Sequence, residues 1–117
     1  VVVWLYAGLT EKLSDLAQEL INDQEIYISV IVRLELQYLY EIQRITDKSD
    51  LIISDLSHRI GLKLCNLNFN LIISQAFKIT WTRDPFDRII TANASLNNKI
   101  LITKDQNILN NYHKANW

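Results

Sequence analysis

Three carboxylates fall in the second half of this 117-residue chain, and each stands beside a cation: Arg83-Asp84, Asp87-Arg88 and Lys104-Asp105. Residues 1–58 carry 4 Lys/Arg against 10 Asp/Glu, whereas residues 59–117 carry 8 against 3. Sparse acids among cations are what phosphate binding beside a metal would use. A solvated surface with neutralising neighbours gives the same pattern. A fourth acid, Glu35, lies among Leu34, Leu36 and Leu39, so it is either partly buried or paired with Arg33 or Arg44. With one cysteine, Cys65, and two histidines, His58 and His113, a disulfide framework and a multi-cysteine zinc site are excluded, and little is left for a histidine metal centre.

Those acids need elements to bring them together. Residues 1–5, β-branched and uncharged, read as the remnant of a buried parallel strand. Ser14 caps a short helix over 15–21, and 26–28 is a strand. Ser29 then caps a long helix to about residue 45, apolar at Val32, Leu36, Leu39 and Ile42. A helix with Leu51, Ile52, Leu56 and Ile60 inside stops at Gly61. Residues 62–67 suit a strand and 71–79 a helix. Asp84 is an N-cap with Pro85 at the first helical position and Asp87 at the capping-box place, opening a helix to residue 98. Residues 99–103 form a strand with Lys104-Asp105 at its carboxyl end, followed by a helical turn (which Asp105 would cap) and a last strand near Trp117.

Strands alternating with helices predict one α/β domain over 1–117, a parallel sheet flanked by helices. In such a sheet functional groups gather beyond the carboxyl ends of the strands. Asp105 lies past one such end. Ser29 follows another, with Glu35 about two turns on, and Asp87 is in the first turn of its helix. Convergence of the three at one edge is expected.

A hydrophobic content of 49% with 21% charged residues excludes disorder, and 2 Gly with 1 Pro argue against a turn-rich β sandwich. The uncharged stretch between Lys63 and Lys78 is broken by Asn66, Asn68, Asn70 and Gln75, so no membrane span is expected. The first residues lack the basic leader of a signal peptide, and a soluble, cytoplasmic protein is the expectation. A net charge of −1 argues by itself against an obligate nucleic-acid binder. Trp4, Trp81 and Trp117 read as core or rim packing, with base stacking the alternative.

Residues 83–92, Arg-Asp-Pro-Phe-Asp-Arg-Ile-Ile-Thr-Ala, followed by Ile100-Leu101-Ile102-Thr103-Lys104-Asp105, resemble the C-terminal signature of PIN-domain proteins, closest to VapC-like toxins of toxin–antitoxin pairs. Ser29 through Leu36 is similar to the family's second acidic motif, and Val1 to Leu5 to the segment that follows its first. The resemblance implies a PIN-like parallel sheet flanked by helices, with the first strand truncated. It also implies a cytoplasmic ribonuclease holding Mg²⁺ or Mn²⁺ on clustered carboxylates, cutting RNA, paired with a cognate antitoxin and forming a homodimer. By position, Glu35, Asp87 and Asp105 are the catalytic, metal-holding acids. Thr103 is a supporting hydroxyl, Arg88 a phosphate contact and Asp84 a further acid at the rim. The alternative is a catalytically silent PIN remnant that binds an antitoxin or a second copy through its long helix.

Phosphodiester hydrolysis needs an activated water and charge neutralisation, which a hard cation with open positions supplies. Mg²⁺ prefers oxygen ligands, so a carboxylate cluster is the expected holder. The family's first aspartate would fall just before Val1. A first strand bearing that aspartate, placed ahead of Val1, is expected to tighten Mn²⁺ binding in a calorimetric titration; equal affinity with and without it would remove that acid from the site.

Overall fold

The fold is built around two apolar clusters that share a seam. A computed structural model describes all residues from Val1 to Trp117. In chain order these are α1 (Val2–Ala7), a 3-10 turn (Thr10–Lys12), α2 (Asp15–Asp23), β1 (Tyr27–Ile28), α3 (Ile31–Glu41), α4 (Ser49–Ile60), β2 (Lys63–Leu64), α5 (Phe69–Ala76), α6 (Pro85–Leu96), β3 (Leu101–Ile102), α7 (Gln106–Asn111) and β4 (Ala115–Asn116). The mixed α/β class and the parallel strands are as expected. The strands are two residues each and form two separate parallel pairs, β1 with β2 and β3 with β4, rather than one sheet.

The opening segment corrects the sequence expectation: residues 2–7 are helical, not a strand remnant. Val2, Leu5 and Tyr6, spaced for one helical face, pack with Val3 against the first cluster. Gly8 stops the helix in the left-handed region at φ 73°, and the Leu9 N–H donates back to the Trp4 carbonyl at 2.9 Å. Three valines in a row favour a strand locally. Burial of the 2, 5, 6 face outweighs that preference.

The first cluster joins α3 to α4 through Leu36, Ile52, Leu56 and Leu62. α3 ends at Glu41, earlier than expected. Gln43 takes φ 62°, and the Arg44 N–H closes the helix on the Leu39 carbonyl at 2.8 Å. Arg59 of α4 donates to the Tyr6 carbonyl at 3.0 Å, and the Tyr6 hydroxyl donates to Asp47 at 2.6 Å. These bonds hold α1 across α4. The second cluster packs α5 on α6 through Ile72, Ala76, Ile79 and Ala92. α3 also packs on α6, which joins the two clusters along a seam. No helix is long and apolar enough to cross a membrane.

Leu56 is fully buried in the first cluster, whereas Leu34 is 59% exposed on α3. Leu56→Ala is expected to cost about 2–5 kcal/mol in urea unfolding, and Leu34→Ala less than about 1 kcal/mol. Equal costs at the two positions would contradict the packing described.

Candidate functional site

Each acid singled out in the sequence enters the site from a helix beginning or a helix face. Asp84 is the N-cap of α6, and its Oδ1 accepts from the Phe86 and Asp87 N–H groups at 2.8 and 3.2 Å. Asp105 is the N-cap of α7, with Oδ1 accepting from the Ile108 N–H at 2.9 Å. The same device precedes both caps. The Thr82 hydroxyl accepts from the Asp84 N–H at 3.2 Å, and the Thr103 hydroxyl accepts from the Asp105 N–H at 3.1 Å. Thr82-Arg83-Asp84 and Thr103-Lys104-Asp105 are thus two copies of one helix entry. The Thr82 copy had no signal beyond this repeated triplet. Because the Asp84 N–H is taken by Thr82, Asp87 closes no capping box.

Glu35 and Asp87 are half-buried and face each other electrostatically across the α3–α6 contact. Burial pushes the Glu35 carboxyl above the usual carboxylate range, and the charges of Asp87 and Asp84 push it further. Burial likewise raises Asp87, with Asp84 and Asp105 adding to it. Glu35 on α3 thus feels both acids at the start of α6, and Asp87 feels the N-cap acids of α6 and α7, while the Val1 ammonium works the other way on Glu35.

None of the four belongs to an ion pair: the chain's three pairs are Arg33–Asp50, Arg59–Asp55 and Lys63–Glu25. The alternative of Glu35 paired with Arg33 is thereby removed, since Arg33 holds Asp50 in a two-pronged contact at 3.0 and 3.1 Å. No hydrogen bond within the protein reaches the carboxylates of Glu35 or Asp87. Arg88, expected at a phosphate, turns instead to α5, where its Nη2 donates to the Ala76 carbonyl at 3.2 Å. A guanidinium at that helix end also meets the negative pole of the helix dipole. Beside it, the Thr91 hydroxyl and the Arg88 Nε are buried without partners. Cys65 is partly buried and accepts from the Asn93 amide at 3.1 Å.

A family model described as PIN domain matches residues 1–114. The chain belongs to the PIN domain family. No curated protein and no solved structure matches it. PIN domains are nucleases in general and typically work with divalent metal ions. The acids of this PIN domain are of the oxygen-donor type such an ion takes: the Glu35 and Asp87 carboxylates accept no hydrogen bond, and Asp84 and Asp105 each commit Oδ1 to a helix N-terminus. No three acidic, histidine or cysteine side chains stand close enough together to share one ion directly. Mg²⁺ keeps several of its waters, so an ion can be held by fewer direct carboxylate contacts, with bound water bridging to the others.

Between their ordinary carboxylate values and their raised folded values, both carboxyls hold more protons in the folded state than in the unfolded chain. Their contribution to stability therefore falls as pH rises through this window and is most unfavourable above the folded values. In EDTA, Glu35→Gln is expected to raise Tm at pH 7 by about 2 °C. That advantage should shrink as pH falls below the ordinary glutamate range. A lowered Tm at pH 7 would contradict the repulsion.

Proposed function

We propose that this PIN domain is a metal-dependent endoribonuclease, the toxin of a toxin–antitoxin pair. One observation carries the reading: Glu35 and Asp87 are half-buried on the packed helices α3 and α6, have no hydrogen-bond or ion-pair partner among the protein's side chains, and are both raised, Glu35 by burial and the charges of Asp87 and Asp84, Asp87 by burial and the charges of Asp84 and Asp105. Leaving charges half-desolvated and unpaired is unfavourable for folding, and such groups concentrate at functional sites. Glu35, Asp87 and Asp105 would hold Mg²⁺ or Mn²⁺, with Asp84 at the rim. When bound, the ion supplies Lewis acidity and lowers the pKa of its water. The chain's own part is to fix the acids. Thr103 orients the Asp105 backbone, Asp84 holds the first turn of α6 that carries Asp87, and Leu36 anchors α3 beside Glu35.

The antitoxin reading rests on α3 and the residues flanking it. Val30, Leu34, Tyr38 and Ile42 follow one another at four-residue steps, and all are exposed. A stripe of this kind suits an apolar helix from a partner, whether the antitoxin or a second copy in a homodimer. The same stripe favours the second reading, a silent PIN remnant that only binds.

Asp87→Asn separates the two. RNA cleavage with Mg²⁺ is expected to fall by at least about 100-fold, with the far-ultraviolet circular dichroism unchanged. Cleavage at the wild-type rate would remove Asp87 from the chemistry, and no cleavage by either protein would leave the binding module.

A further inference from the structure

Beside the acids lies an aromatic and cationic patch that metal binding does not use. The rings of Trp4, on α1, and Trp117 have centroids 6.0 Å apart and planes inclined at 56°. The Lys104 ammonium lies 5.6 Å from the Trp4 ring centroid, and that of Lys12 lies 5.8 Å from it. Both tryptophans are part-exposed, both lysines are exposed, and neither lysine has an ion-pair partner. Four separate segments contribute: α1, the 3-10 turn, the β3–α7 loop and the residue after β4.

The patch adjoins the acids at two ends. Lys104 precedes Asp105 in the chain. The Thr103 N–H donates to the Asn116 carbonyl at 3.1 Å, so the parallel ends of β3 and β4 deliver Lys104 and Trp117 to one edge. At the other end Val1, three residues before Trp4, lies within electrostatic reach of Glu35.

We propose that Trp4 and Trp117, flanked by Lys12 and Lys104, bind an unpaired stretch of RNA next to the phosphate that is cut. The proposal deepens the ribonuclease reading and rests on it only for the choice of RNA as substrate. A base stacks on the indole, which is sequence-tolerant because every base has a π face. The two ammoniums, which lie over the ring in the free protein, move to the flanking phosphates as compact point charges. Their charge also offsets the repulsion between the acids and an incoming phosphate. Paired bases are already stacked and turned inward, so single strands and loops are preferred over duplex.

Binding of a fluorescein-labelled single-stranded RNA of about eight nucleotides, measured in EDTA, reads the patch, and cleavage with Mg²⁺ reads the acids. Trp117→Leu and Trp4→Leu are each expected to weaken binding roughly tenfold, and Trp4→Phe to recover most of the loss. Lys12→Gln and Lys104→Gln, both at the surface, are each expected to lower the salt slope of binding by about 0.7. They keep the test decisive should Trp4→Leu fail to fold. With Mg²⁺ these variants raise KM while kcat is retained, whereas Asp87→Asn removes turnover and retains RNA binding. Unchanged binding, salt slope and KM in the lysine and Trp117 variants would overturn the patch even if the wild type cuts RNA. RNA held through the patch by a protein that cuts nothing supports the patch and removes the nuclease reading. Loss of a protein partner in these variants, with RNA binding untouched, overturns the patch in favour of protein docking.

Discussion

Like charges brought into a half-buried seam oppose each other, and in this fold the contact of α3 with α6 forces that condition on Glu35 and Asp87. Asp84 and Asp105 add to the repulsion from the starts of α6 and α7. A chain selected for stability alone would replace them with apolar residues or pair them with a cation, rather than leave two half-buried carboxylates facing each other. Its basic residues go elsewhere: Arg33 to Asp50, Arg59 to Asp55, Lys63 to Glu25, and Arg88 to the end of α5. Apart from the Val1 ammonium, which acts on Glu35, the seam has no cationic partner for these acids, and on the proposed reading a divalent cation would supply that charge without protonating them.

Stability and site are not separate designs here. Asp84 and Asp105 each commit one carboxylate oxygen to a helix N-terminus. The bond that starts the helix also fixes where the other oxygen lies. The threonine two residues earlier fixes the backbone of each cap. A rigid first turn of α6 carries Asp87, and the buried Leu36 holds the stretch of α3 that carries Glu35. Acids on such supports are held in place against their repulsion, the preorganisation that the proposed metal site would need.

The helices around the site were legible because their ends are written in side chains: Ser14, Asp84-Pro85 and Gly61 sit where their caps require. Asp87 and Asp105 stood out because so few acids accompany them in the basic half. Three things were hidden. The helix over residues 2–7 was masked by Val1-Val2-Val3, whose local preference is overridden by long-range packing on Leu56 and its neighbours. The early end of α3 depends on Gln43 adopting a left-handed backbone, which no glycine advertises. The engagement of Arg88 with Ala76 depends on how α5 packs on α6, a non-local fact that spacing along the chain does not encode.

Paramagnetic broadening by Mn²⁺ in a two-dimensional amide spectrum tests the shared seam most directly, since the ion reports every nucleus around it at once. Substoichiometric Mn²⁺ is expected to broaden the amides of Glu35, Asp87 and Asp105 together, with Asp84 close behind, and to leave the exposed Asp50 and Glu25 sharp. Broadening that follows surface acids in proportion to their exposure, or that spares Glu35 while reaching Asp105, would contradict a common site.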